Sequence, residues 1–185
     1  HTAVRDFFEQ RNTSERAKEA TELAYKECEK LRAFLNEIEK NGQFTDMIQI
    51  GIGGSDLGPK AVYMALEAFH KPGRQVHFLS NVDPDDASHI FQQVDLEKTL
   101  VVVVSKSGTT LETLTNEQFA REKFKKAGIN PKNHFLAVTG KGSPMDDPQQ
   151  YAASFYIWDY IGGRYSATSM VGGVILAFAL GMDRF

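Results

Sequence analysis

Residues 100–119 read LVVVVSKSGTTLETLTNEQF, and the fold turns on this stretch. Leu100 through Val104 form an unbroken apolar run, mostly β-branched, with no polar alternation. Such a run predicts a strand buried on both faces, as in parallel sheets covered by helices on both sides. It gives way abruptly to Ser105, Lys106, Ser107, Gly108, Thr109 and Thr110, and helix-forming residues then continue to Ala127. The stretch therefore reads as a strand, a tight hydroxyl-rich loop and a helix.

The same alternation recurs on either side. Strands are predicted over residues 47–52, 76–79, 100–104, 134–138 and 155–158. Helices are predicted over 57–69, 83–93, 109–127, 145–151 and 165–180, the first tolerating Pro59 in its opening turn. Ahead of them, residues 13–41 predict one long helix, capped by Thr13 or Ser14 and stopped at Asn41 and Gly42. Its apolar positions, among them Cys28, Leu31, Leu35 and Ile38, recur at helical spacing. Repeated strand–helix units imply a three-layer α/β/α sandwich around a mainly parallel five-stranded sheet. Residues 1–45 then form an N-terminal helical segment packing on a domain of residues 46–185.

Composition excludes several classes of function. With 42% hydrophobic and 24% charged residues and a formal net charge of −3, nothing supports a nucleic-acid or anionic-membrane partner. No apolar run approaches the roughly 20 residues of a membrane-spanning helix. The polar, alternately charged start is unlike a secretory signal. The lone Cys28 excludes an internal disulfide and a CxxC zinc pair, which fits a reducing, cytoplasmic setting. The chain opens at His1 and closes on MVGGVILAFALGMDRF, a helix apolar enough to want partners on most sides. We therefore expect a piece of a longer protein, with this last stretch packing on a further domain or a second subunit.

In a sheet of this kind ligands gather at the carboxyl ends of the strands. The loop after the first strand is GIGGSDLGP, residues 51–59. Gly53 and Gly54 permit close backbone approach, and Ser55 offers a hydroxyl. A dinucleotide fingerprint would need glycine where Asp56 stands; a Walker loop would need Lys directly after Gly58, but Pro59 intervenes, and Ala61 replaces the hydroxyl residue that should follow the Lys. Neither NAD nor ATP is favoured, and no cofactor is expected.

The loop at 105–110 has a different chemistry. A phosphate needs several donors aimed at one point, and a helix N-terminus supplies free N–H groups and partial positive charge. Ser105, Ser107, Thr109 and Thr110 add hydroxyls, Gly108 lets the backbone curl, and Lys106 raises the local potential. The dipole contributes only about 0.3–1 kcal/mol, so convergent hydrogen bonds must supply most of the affinity. Ser and Thr also cap helices, but a cap needs one or two hydroxyls and four stand here. A third stretch, DYIGGRYSATSMVGG at 159–173, places Arg164 after two glycines and before a helix. Two readings stay open for it: a fixed fork of donors for a developing oxyanion, or a surface ion pair.

IGIGGSDLGP, SKSGTTLET and GGRYS stand in one order at characteristic separations, with SNVDPDDASHI between them. Together they resemble the glucose-6-phosphate isomerase (phosphoglucose isomerase) family over most of the chain. The resemblance implies a sugar isomerase (SIS) domain of flavodoxin-like fold. It implies that glucose 6-phosphate and fructose 6-phosphate are interconverted through a cis-enediol(ate), in glycolysis and gluconeogenesis. On matching positions it implies Gly54 and Ser55 as substrate contacts. Residues 105–110 become the phosphate loop, with Ser105, Ser107 and Thr110 as the chief donors. Gly163 and Arg164 become the pair whose Arg steadies the enediolate. The family's base Glu, ring-opening His and late Lys fall beyond the Arg motif, so this chain alone is expected to be inactive. The resemblance also implies a homodimer. One departure is Ala167, where the family more often has a larger residue.

A rival reading is a non-catalytic phosphosugar-binding SIS module, against which GGRYS argues because a sensor needs no enediolate-stabilising Arg. Glu112 is expected to favour its helix N-terminus or to pair with Arg164, without a proton-transfer role. His70, His77, His89 and His134 lack metal-ligand spacing, so no metal is expected, and Phe155, Tyr156 and Trp158 read as core. Residues 121–128 read as a solvated helix face and 140–148 as a surface turn.

Overall fold

The computed structural model describes Glu9 and residues 14–185. Thr13 and the start of the N-terminal segment lie outside the described residues. The long helix α1 (Glu15–Asn41) begins where Ser14 Oγ accepts the Ala17 N–H at 3.2 Å. It ends at Gly42, whose φ of 57° suits a residue without Cβ. Only part of its apolar stripe is fully covered: Leu31, Leu35 and Ile38 are buried, whereas Cys28 is half-buried.

The five expected strands form one sheet: β1 (Asp46–Ile50), β2 (Gln75–Leu79), β3 (Thr99–Ser105), β4 (Phe135–Thr139) and β5 (Ala153–Tyr156). Every pairing is parallel, and the order is β2-β1-β3-β4-β5. This is the doubly wound arrangement, in which the chain reverses its direction of travel across the sheet between β1 and β3. Every residue of β3 is buried, as the valine run requires.

Alternate strand residues feed two cores. Met47, Leu100, Val102, Val104, Leu136 and Val138 face the layer containing α1 and α5 (Met170–Leu180). On that side α2 (Leu57–Ala65) adds Val62 and Tyr63. Ile48, Ile50, Val101, Val103, Phe135 and Ala137 face α3 (Pro84–Gln93) and α4 (Leu111–Lys126). All of α5 is buried, so its apolar residues find their partners within the described chain. The expectation that this stretch needs an outside surface is thereby corrected.

Other local expectations also change. Residues 145–151 form turns rather than a helix, because Ser143 Oγ accepts the Met145 N–H at 3.2 Å and Asp147 Oδ1 that of Gln149 at 2.8 Å. Such side-chain bonds replace helical ones. Strand β5 starts two residues earlier than predicted. Instead of a helix from 165, a 3₁₀ segment runs Gly163–Thr168, and Ser169 then caps α5 by accepting the Val171 N–H at 3.3 Å. Arg121, expected on a solvated face, donates to buried Glu117 at 2.7 Å and lies over the Phe135 and Tyr151 rings.

Candidate active site

The topological reversal leaves the carboxyl ends of β1 and β3 side by side, and the loops that follow them meet there. A cleft of about 510 Å³ opens at this point. Seven of the ten site residues expected from sequence line it: Gly54, Ser55, Ser105, Lys106, Ser107, Thr110 and Gly163. Gly108, Thr109 and Arg164 do not.

The 105–110 loop is a closed hydrogen-bonded turn. The Gly108 N–H donates to Ser105 Oγ at 3.1 Å, and Ser105 Oγ lies 2.9 Å from Thr110 Oγ1. Thr109 donates both its N–H and its hydroxyl to Ser107 Oγ, at 3.2 and 2.9 Å. Gly108 takes a φ of 70°, and a Cβ there would come within 2.9 Å of Ser143 Oγ. It shapes the turn from behind, with Thr109. Thr139 holds the base by donating to the Ser105 carbonyl at 2.7 Å.

The hydroxyls do not cap α4. Thr110 occupies the cap position, yet its side chain makes no hydrogen bond to the first turn. The simple capping alternative therefore does not describe how they are used here. The opening of a 16-residue helix is left facing the cleft with its positive end uncovered.

Lys106 has an unexpected place. Its ammonium donates to the carbonyls of Asp159 and Ile161, at 2.7 and 3.2 Å, and so ties the β3 loop to the segment before Gly163. The glycine loop after β1 reaches the same segment by backbone contact. A Cβ on Gly54 would stand 2.4 Å from the Gly163 carbonyl oxygen. Ser166 bridges the two, its hydroxyl within reach of the Gly163 carbonyl at 2.8 Å and the Gly54 carbonyl at 3.2 Å. Arg164 follows directly, exposed and with no hydrogen bond or ion pair to any described residue. Glu112 is exposed in the first turn of α4, and it does not pair with Arg164. Among the described residues no three His, Cys, Asp or Glu side chains converge as metal ligands, and no helix is long and apolar enough to cross a membrane.

The sequence matches the profile of the phosphoglucose isomerase family over residues 1–185. The chain belongs to that family. It is 56% identical to the glucose-6-phosphate isomerase of Protochlamydia amoebophila, over 100% of this chain and 35% of the relative. The crystal structure of a glucose-6-phosphate isomerase from Chlamydia trachomatis superposes with a TM-score of 0.93 at 46% identity, covering 99% of this chain and 35% of that one. A hypothetical protein from Thermus thermophilus superposes at 0.72 with 33% identity, over 97% of this chain and 44% of its own. The chain thus spans about a third of the length of the isomerases it matches.

Within this phosphoglucose isomerase family chain, Ala167 sits where space is short. A Cβ on Gly172 would lie 2.1 Å from the Ala167 carbonyl oxygen, and one on Gly58 would lie 3.1 Å from Ala167 Cβ. Sequence reasoning missed four residues of the cleft lining, Ile52, Val104, Thr113 and Asp159. Thr113 had a signal available, since it stands one helical turn after Thr110 and faces the same way. It missed Gln49 as well, a 1% exposed side chain in a central strand whose Nε2 donates to the Ser55 carbonyl.

Proposed function

We propose that this chain forms the phosphosugar-binding part of an aldose–ketose isomerase that interconverts glucose 6-phosphate and fructose 6-phosphate through a cis-enediol(ate). The uncapped N-terminus of α4, ringed by Ser105, Ser107 and Thr110 at the strand-order reversal, carries the reading. A phosphate dianion there meets free N–H groups and neutral hydroxyls, so it is held without a metal or a nucleotide cofactor. Gly54, Ser55 and Gly163 line the opposite wall and face the sugar. Arg164, unpaired beside that wall, swings toward the reacting carbons and offsets the charge that develops on the enediolate oxygen. Thr109 and Gly108 hold the shape of the loop. Lys106 contributes positive potential while fastening the Arg-bearing segment.

The chemistry also needs a base that moves a proton between adjacent carbons. Among the described residues the only carboxylate lining the cleft is that of exposed Asp159, on its rim. The 185-residue chain is therefore proposed to bind the sugar phosphate and to lack turnover alone. The complete enzyme is proposed to be a cytoplasmic homodimer of glycolysis and gluconeogenesis, with no nucleic-acid or membrane partner.

Titrating the chain with 6-phosphogluconate while following amide chemical shifts tests the binding reading. Shifts confined to residues 54–55, 105–113 and 163–164 are expected. A response elsewhere, or none, overturns the phosphate assignment. Turnover of glucose 6-phosphate by the isolated chain at the rate of a complete isomerase overturns the division of labour.

A further inference from the structure

Helix α2 opens with Leu57, Gly58 and Pro59. At a regular helix entry the Ser55 carbonyl would receive the N–H four residues on, but that residue is Pro59, which has none. The helical ladder instead starts one residue later, where the Lys60 N–H donates to the Asp56 carbonyl at 2.9 Å. The Ser55 oxygen also lies against the end of β1, since a Cβ on Gly51 would come within 3.0 Å of it. Among the described residues no backbone N–H reaches this oxygen, and its donor is Nε2 of Gln49. Gln49 is buried in β1, where it stands in register with Phe78 of β2 on one side and Val102 of β3 on the other. The second polar atom of the same amide, Oε1, is buried without a hydrogen-bond partner. Such atoms are rare and call for an explanation. An apolar residue at 49 would only move the unmet bond from Oε1 to the Ser55 carbonyl, so the amide gains little stability. What it gains is a fixed place for the loop.

We propose that Gln49 is a positioning residue for the isomerisation: its amide ties the glycine loop to the central strand and so sets where Gly54 and Ser55 meet the sugar. This rests on the reading of those two residues as sugar-facing and adds what holds them there. Both line the cleft, and Gly54 presses on the Gly163 backbone across it. The loop is thus held from two sides, by Gly163 across the cleft and by Gln49 from beneath. Strand β1 is paired on both edges, so the origin of the second tether does not move.

The test uses Gln49→Met, which keeps the length of the side chain and removes the donor, and Gln49→Glu, whose carboxyl donates only when protonated. Methionine exchanges one unmet acceptor for another, so the melting temperature of the chain is expected to stay within about 4 °C of wild type. In the complete enzyme kcat/KM is expected to fall about ten- to a hundredfold, as for a group displaced by about 1 Å. Inhibition by inorganic phosphate, which reports the separately built 105–110 loop, is expected to change less than about threefold. Burial raises the pKa of a carboxyl placed at 49, so its proton is retained toward neutral pH and lost above it. The kcat/KM of Gln49→Glu relative to wild type is therefore expected to rise about tenfold or more from pH 8.5 to pH 5.5, while that of Gln49→Met stays flat. Melting curves at both pH values confine the comparison to folded protein. Unchanged kcat/KM in Gln49→Met overturns the proposal, as does a melting temperature that falls in step with activity, or a flat pH ratio for Gln49→Glu. If 6-phosphogluconate shifts the wild-type amides at 54–55 and Gln49→Met still loses nothing, only the positioning role falls. If those amides do not respond in wild type, the sugar-facing reading of the glycine loop falls with it.

Discussion

Gly54→Ala is the sharpest probe of how the site is assembled. The new Cβ would stand 2.4 Å from the Gly163 carbonyl oxygen and 2.5 Å from its carbon, where ordinary contact begins near 3.4 Å. Both partners are backbone, so no rotamer relieves the clash and the two loops must part by about 1 Å. Overpacking of this kind costs about 1–3 kcal/mol, which in a chain of this size lowers the melting temperature by about 2–12 °C. The functional loss is larger, because a 1 Å misplacement of a positioned group reduces rate by about a hundredfold.

Two neighbouring glycines separate collision from strain. Gly53 has a φ of 60° but open space around its would-be Cβ, so Gly53→Ala is expected to lose about 1–2 kcal/mol without moving the loops apart. Gly163 has neither a positive φ nor any atom within 4 Å, so Gly163→Ala is expected to stay within about 0.5 kcal/mol of wild type. Differential scanning calorimetry of the chain and kcat/KM of the complete enzyme carrying each variant provide the comparison. If Gly54→Ala matches wild type in both, or Gly163→Ala lowers the melting temperature as much as Gly54→Ala does, the loop-to-loop contact does not set the geometry of the site.

Lys106→Met releases the carbonyls of Asp159 and Ile161, so kcat of the complete enzyme is expected to fall about tenfold or more while inhibition by inorganic phosphate changes less than about threefold. A parallel loss of phosphate affinity would instead place the ammonium on the anion. Arg164→Ala removes a side chain with no partner in the described chain, so the melting temperature is expected to hold while kcat falls about 10²–10³-fold and KM changes little; an unchanged kcat removes its role. Burial pushes the Glu27 carboxyl above its ordinary value, partly offset by the Tyr156 N–H it accepts at 2.9 Å. A raised native pKa means the fold is favoured below the ordinary carboxylate range and loses that contribution as pH rises through the raised value. Glu27→Gln keeps an acceptor for Tyr156 and removes the buried charge, so it is expected to melt above wild type at pH 8, with the gain vanishing near pH 4. A gain larger at pH 4 than at pH 8 refutes the assignment.

What the sequence revealed was what is local. The valine run at β3 is buried on both faces whatever packs on it, and a hydroxyl-rich turn before a helix is readable from adjacent residues. Pattern reading failed where a polar side chain is satisfied by a distant partner. Glu27 interrupts the apolar stripe of α1, yet it is buried because an edge-strand N–H 129 residues later needs an acceptor. Gln49 interrupts β1 for the sake of a carbonyl in the following loop, and Arg121 turns inward to Glu117 and two aromatic rings. The 3₁₀ segment Gly163–Thr168 was mistaken for helix because its residues permit one. What stops it is the bridging of Ser166 to two carbonyls and the crowding of Ala167 against Gly172.

These long-range ties also bear on how a site built from loops can be accurate. The 105–110 loop, the glycine loop and the Arg-bearing segment come from chain positions far apart. Each pair is joined separately: Lys106 links the first to the third, the Gly54–Gly163 contact with Ser166 links the second to the third, and the sheet register links the first to the second. Three segments with three links form a closed triangle, so no one of them can shift without straining another. In the proposed reaction, a phosphate fixed at one corner thereby sets where the sugar carbons fall relative to the other two. Lys106→Met opens one side of that triangle and Gly54→Ala forces another apart. The two changes act on one shared geometry, so their effects on kcat are expected to combine to less than the product of the single losses. A double variant whose loss equals that product would show that the links act independently.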